Sequence, residues 1–248
     1  MPPGARLRRP HHGILGRPGH PHQAVAAGPR ADRLRRVSLP SRPELVLGDD
    51  GLHRCAWGAN DAEYRRYHDE EWGTQQRDPQ RLFEKLCLEG FQAGLSWITI
   101  LRRRPAFREV FHGFDPAAVA AMTEGDVERL LGDARIIRHR GKIEAAISNA
   151  RVTLELPTPL DELLWSFAPA PRERNPVSFA EVPATTPESE AMSRALRRLG
   201  YRFVGPTTMY ALMQASGMVD DHLAGCFRAG NGAAMAVEPA AAVSAPVS

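Results

Sequence analysis

At 248 residues the chain can hold one large domain or two small ones, and 43% hydrophobic with 25% charged residues describes an ordinary water-soluble globular protein. Three cysteines exclude a disulfide framework and fit a reducing cytoplasm. No apolar run reaches the roughly 18 residues of a membrane span, and Ile14-Leu15 is no signal-peptide core, so no membrane partner is expected. The net charge of +3 misleads: residues 1–43 carry nine Arg against one Asp, which leaves residues 44–248 at −5. A nucleic-acid interface in the folded part must therefore be a local patch, not a global field.

In chain order, residues 1–50 read as a disordered Arg/Pro-rich extension, 51–228 as the folded domain and 229–248 as a disordered Ala-rich tail. The extension has no helical or strand period and too little apolar surface to offset its ordering entropy. It is either a basic arm that tethers DNA or the product of an upstream start codon read in error. Within the domain, Asp61 caps a helix through about Glu70. Asp78-Pro79 starts another, with Pro in its first turn and Leu82, Phe83, Leu86 and Leu88 on its buried face. Short helices follow over 96–103, 105–111 and 117–122. Thr123 to Asp126 cap a helix to Leu131. Gly141 to Leu154 is a long amphipathic helix with Ile143, Ala146, Ile147 and Ala150 on one face. A short helix covers 161–167, a loop with a short strand 169–183, and helices 187–199 and 207–216; Asp221–Cys226 begins the last helix. Without βαβ alternation or repeats, the fold class is all-α.

Three segments carry chemistry. Cys55 and His68 stand in Cys-x12-His spacing, and His222 and Cys226 in His-x3-Cys spacing. On a helix the second pair shares one face. Together they offer two thiolates and two imidazoles, a closed tetrahedral set of the structural kind. Spacing alone leaves open that Cys55 is a small buried hydrophobe and His222 a surface histidine. Next, residues 126–150 read as two helices around a tight basic turn, Arg138-His139-Arg140-Gly141-Lys142, as in a helix-hairpin-helix. Backbone N–H groups at the second helix start would face a phosphate, with the side chains adding charge; a solvated basic loop is the alternative. Finally, Glu89 ends an apolar helix face, two glycines follow, and Trp97 offers a stacking surface. A carboxylate in apolar company is hydrogen-bonded or functional, and aromatic faces with one acceptor suit a flipped cationic base. Trp and Tyr in a helical protein are usually core, and Trp57 and Trp72 read as core on that ground.

These residues are recognisable together. Arg54-Cys55-Ala56-Trp57, Tyr67-His68-Asp69-Glu70-Glu71-Trp72-Gly73, Cys87-Leu88-Glu89-Gly90, Gln92 to Trp97, Ile136 to Ile143, Leu164 to Phe167, Phe203-Val204-Gly205 and Asp221-His222 resemble the DNA-3-methyladenine glycosylase I family from about residue 54 to 227. The resemblance implies a helical glycosylase that hydrolyses the N-glycosidic bond of 3-methyladenine in alkylated double-stranded DNA, without lyase activity, and releases the free base. It implies one structural Zn2+ on Cys55, His68, His222 and Cys226. It implies that Glu89 hydrogen-bonds the base, that Tyr67 and Trp97 line or stack in its pocket, that Trp57 completes the wall, and that Gly94 and Leu95 enter the duplex. A cytoplasmic monomer is expected. Three departures stand out: Phe91 beside the pocket is expected to alter base selectivity, Arg135 to add a phosphate contact, and Pro206 follows Gly205. The rival readings are a non-catalytic zinc-stabilised DNA-binding module, and a zinc hydrolase using His68 with Asp69, Glu70 or Glu71.

Overall fold

The computed structural model describes residues 43–230; the expectations for residues 1–42 and 231–248 lie outside them. Leu45–Leu47 (β1) pairs antiparallel with His53–Cys55 (β2), in the register Leu45 to Cys55. The fold thus claims residues that the sequence reading leaves in the extension. A two-residue-period patch this short carries no readable pattern in sequence.

Ten helices follow among the described residues: α1 Ala62–Glu70, α2 Pro79–Gln92, α3 Trp97–Leu101, α4 Arg104–Val110, α5 Pro116–Ala120, α6 Glu124–Gly132, α7 Arg140–Leu154, α8 Leu160–Trp165, α9 Pro187–Arg198 and α10 Pro206–Ala215. Their starts are set by local chemistry. Asp61 accepts from the N–H groups of Glu63 and Tyr64, and Asp78 from that of Arg81. Thr123 with Asp126 and Thr186 with Ser189 close capping boxes. Each such cap contributes about 1 kcal/mol.

Helix α2 runs through the middle. Leu82, Phe83, Leu86, Leu88 and Phe91 are all buried, and α3, α7, α8 and α10 pack around it. Phe91 meets Phe107 at 4.6 Å between ring centroids, and Phe111 and Phe114 continue the aromatic ladder. Burying each of these rings contributes about 2–3 kcal/mol. Phe91 is therefore core and does not line the base pocket, which corrects the selectivity expected of it. Pro206 occupies the first turn of α10, where it lacks no partner.

Two local expectations fail. Residues 169–183 contain no strand but a 3-10 turn at Phe179–Glu181. Asp221–Cys226 is not a helix: Cys226 N–H donates to Leu223 C=O at 2.8 Å, and Gly225 turns the chain with φ +93°. The turn brings His222 and Cys226 together where a helical face was expected to.

Candidate functional site: an aromatic cavity beside a Cys2His2 cluster

One helix supplies both halves of the site. Tyr64, Tyr67 and His68 stand at i, i+3 and i+4 on α1, so they share a face. His68 turns to Cys55 at the end of β2 and to His222 and Cys226 in the C-terminal turn. The four donor atoms lie within 4.8 Å of one another. Cys226 Sγ is 3.5 Å from His68 Nε2 and 3.7 Å from His222 Nδ1; Cys55 Sγ is 4.0 Å from His222 Nδ1. All four residues are buried. The remaining imidazole atoms are held too. His68 Nδ1 meets Asp69 Oδ1 at 2.8 Å, and Arg54 braces Asp69. His222 Nε2–H donates to the Trp72 carbonyl at 3.1 Å. Such outer contacts fix which ring nitrogen faces the centre. At Gly73 any Cβ would stand 2.9 Å from His222 Nε2, and its φ is +75°, so only glycine fits there. The contact between the two sulfurs pushes the Cys55 pKa up, and that contact with the two imidazoles holds Cys226 down. The set can hold a metal ion.

The other half is a cavity of about 290 Å³. Its walls are Trp57, Tyr64, Tyr67, Trp72 and Trp97; Glu89 and Gln92 come from α2, Ala211 and Gln214 from α10. Tyr67 and Trp97 lie 5.4 Å apart, tilted by 47°. Trp57 sets its edge against Trp72 at 5.0 Å and against His68 at 5.2 Å, so the metal cluster backs the aromatic wall. The Tyr64 hydroxyl accepts from the Ile98 N–H at 3.0 Å, tying α1 to α3. Three buried side-chain polar atoms have no partner among the described residues, Glu89 Oε2, Trp97 Nε1 and Arg228 Nε, and the first two belong to residues that line this cavity. An unmatched buried group costs on the order of 1–3 kcal/mol. Burial pushes the Glu89 pKa up to about 8 against the opposing pull of Lys85. Burial also lifts that of the Tyr67 hydroxyl.

A second cavity, of about 300 Å³, shares Tyr67 and Trp97. Its charges are largely matched internally: Arg104 clasps Glu71 at 2.5 and 2.6 Å, and Arg108 and Arg81 hold Glu84 at 2.7 and 3.1 Å. Trp97 lines both cavities, whereas Glu89, with its unmatched oxygen, lines the aromatic one.

The basic turn behaves differently from its sequence reading. Arg138 is exposed, with no ion pair among the described residues. His139 is exposed and caps α7, and its ring edges towards Phe203 at 6.3 Å. Gly141 sits in the first turn of α7. Arg140, however, pairs with Glu124 at 2.6 Å and with Glu128, and Arg135 pairs with Asp133 and Glu109. Neither guanidinium stands free for a phosphate. Lys142 turns inward: its ammonium donates to the carbonyls of Phe91 and Ala93 at 2.9 and 2.7 Å. It caps the end of α2, a favourable place for a cation. It thereby anchors the Ala93–Ser96 loop, where Gly94 takes φ +84° and Leu95 is 42% exposed. Tyr64, Trp72, Gln92 and Gln214 were not singled out as site residues from sequence. The i, i+3 spacing of Tyr64 to Tyr67 and of Glu89 to Gln92 is the signal that could have found two of them.

A helical scaffold that keeps a buried carboxylate and an indole N–H unmatched in an aromatic slot, beside a Cys2His2 cluster, has the groups needed to hold a flat nitrogenous ring. The profile of the methyladenine glycosylase family matches residues 57–229. The chain is 50% identical over 179 residues to DNA-3-methyladenine glycosylase 1 of Escherichia coli, covering 71% of this chain and 96% of that protein. It is 45% identical to the DNA-3-methyladenine glycosylase of Haemophilus influenzae, covering 70% and 96%. A crystal structure of 3-methyladenine DNA glycosylase I superposes with TM-score 0.68 at 49% identity, over 70% of this chain and 98% of that one. The Staphylococcus aureus enzyme, solved to explain its recognition of 3-methyladenine, gives 0.67 at 34%, over 70% and 94%. This chain belongs to the methyladenine glycosylase family, enzymes that hydrolyse N-glycosyl bonds.

Proposed function

We propose that the aromatic cavity receives 3-methyladenine flipped out of alkylated double-stranded DNA and that the enzyme hydrolyses its N-glycosidic bond. The observation that carries this reading is the pair of unmatched atoms, Glu89 Oε2 and Trp97 Nε1, in one aromatic slot. A related structure is a complex with 3-methyladenine. In DNA this base carries a positive charge. Cleavage of the bond between the sugar C1′ and N9 leaves the electron pair on the base, which departs neutral. Water adds to C1′ and gives up a proton. The leaving group needs no added proton, so the protein's work is to bind the flipped base, exclude water and stabilise the developing sugar cation. Tyr67, Trp97 and Trp57 supply faces for the cationic ring. Glu89 supplies the counter-charge and a hydrogen-bond acceptor. Leu95, exposed on the loop that Lys142 anchors, fits the space the base leaves, and Arg138 and His139 face the backbone.

The chain has two lysines. Lys142 is committed to the end of α2, and Lys85 lines the neighbouring charged cavity. Neither lines the base slot, which supports hydrolysis without lyase chemistry. The metal is zinc in this reading. A tetrahedron with Zn–S of about 2.3 Å and Zn–N of about 2.0 Å has edges of about 3.3–3.8 Å; three sulfur–nitrogen separations here are 3.5, 3.7 and 4.0 Å, and all four donor atoms lie within 4.8 Å of one another. Its role is to hold the chain; four protein donors leave no place for a catalytic water, which argues against a zinc hydrolase. A slot complete within one chain suits a monomer. Among the described residues no helix is long and apolar enough to cross a membrane, and DNA as substrate supports a cytoplasmic enzyme.

The test is release of free 3-methyladenine from methylated DNA, with Glu89→Ala as control. Wild type is expected to release it and the variant to lose most of that activity. Binding of DNA with no base released would support a non-catalytic module instead, and a borohydride-trapped covalent adduct would refute hydrolysis alone.

A further inference from the structure

We propose that Gln214 is a second base-reading residue: its side-chain oxygen accepts from the exocyclic amine of the bound purine, and Asp221 is the positioning residue that fixes that oxygen's orientation. The inference rests on the base-pocket reading above and adds to it the group that separates amino from oxo purines.

Gln214 and Asp221 line the same cavity as Glu89. The Gln214 amide nitrogen donates to Asp221 Oδ2 at 2.8 Å. Asp221 is buried and already holds two other donors: the Tyr210 hydroxyl at 2.6 Å on the same oxygen, and the Arg172 guanidinium on Oδ1. A carboxylate paired with a guanidinium only accepts, so the atom facing it must be the amide nitrogen. The amide oxygen is thereby left over, with no protein partner among the described residues. The backbone keeps it in place: the Gln214 carbonyl accepts from the Gly73 N–H at 3.1 Å and the Gly217 N–H at 3.3 Å. Gly217 has φ +70°, and a Cβ there would stand 2.6 Å from the Gln75 nitrogen, so the end of α10 cannot shift freely.

An exocyclic amine has two N–H bonds and needs two acceptors. Glu89 arrives on α2 and Gln214 on α10, two helices packed against each other. An oxo group in the amine's place would present lone pairs to both. Glu89 alone discriminates poorly, because a carboxyl that takes up a proton can donate to an oxo group as readily as it accepts from an amine. An amide whose nitrogen is already committed has no such second state. A locked hydrogen-bonding site rejects a partner of the wrong polarity far more strongly than an apolar pocket does.

Gln214→Met keeps the length of the side chain and leaves Asp221 its Arg172 and Tyr210 partners. Release of 3-methyladenine is expected to fall about tenfold more than release of 3-methylguanine from the same methylated DNA. Equal losses on both bases, or no loss on either, would overturn the proposal. A ligand-side measurement needs no variant. N6-methylation of free 3-methyladenine removes one N–H, and wild type is expected to bind that analogue about tenfold more weakly; in Gln214→Met the difference should vanish. Equal binding of the two bases by wild type overturns the second acceptor while leaving the base pocket standing. Failure of wild type to release or bind 3-methyladenine at all would remove the pocket reading and this proposal with it.

Discussion

The metal cluster and the base slot touch through Trp57 and Trp72, yet they are built on opposite rules. Around Cys55, His68, His222 and Cys226 each imidazole nitrogen turned away from the cluster has a protein partner, down to Asp69 and the Trp72 carbonyl. In the slot, Glu89 and Trp97 keep polar atoms unmatched. The cluster's imidazoles are fully partnered, whereas the slot keeps a carboxylate oxygen and an indole N–H that the proposed base would meet. The comparison teaches that burial of a charged or polar group is not itself informative, whereas the completeness of its surroundings is.

The comparison can be broken first at the cluster. Cys226→Ala is expected to cost on the order of 4 kcal/mol or more and to abolish metal content. A denaturant titration alongside metal analysis measures both, and a folded, metal-free, inactive protein would assign the site to catalysis. The slot should respond the other way. Glu89→Gln is expected to reduce excision about 100-fold while raising stability in alkaline solution. The sign follows from the raised pKa. Between pH 4.5 and about 8 the folded protein keeps a proton that the unfolded chain has lost, so stability falls as pH rises through that window, by up to about 5 kcal/mol. Melting curves from pH 5 to 9 should show that slope in wild type and a flatter one in the variant; parallel curves would place Glu89 in contact with water. The smallest effect separates the two kinds of basic residue. Lys142→Met should cost about 1–2 kcal/mol of stability and leave the salt dependence of DNA binding unaltered. Arg138→Ala should lower the salt slope by about one counterion with no loss of stability.

Much of this was legible in the sequence because it is local. Caps such as Asp61, Asp78 and Thr123 act within four residues, and the helices begin where they say. The four members of the Cys2His2 cluster were legible as residue types, but their meeting depended on a turn at Gly225 that a periodic reading took for a helix. Lys142 was misread for a physical reason: a basic residue in a basic run looks solvated until the carbonyls of Phe91 and Ala93, some fifty residues earlier, are seen to end beside it. Phe91 looked like a pocket residue by adjacency to Glu89, yet neighbours on a helix face opposite ways. Gln214 carried no signal, since its meaning lies in what Asp221 does to it.

Cys55 and His222 are separated by 167 positions along the chain. During synthesis the early donors must wait, uncoordinated, until nearly the whole domain has left the ribosome. Nascent chains stalled before residue 222 would therefore carry every helix of the described residues and still lack two of the four donors, so a metal that needs all four can bind only once the carboxyl-terminal segment arrives.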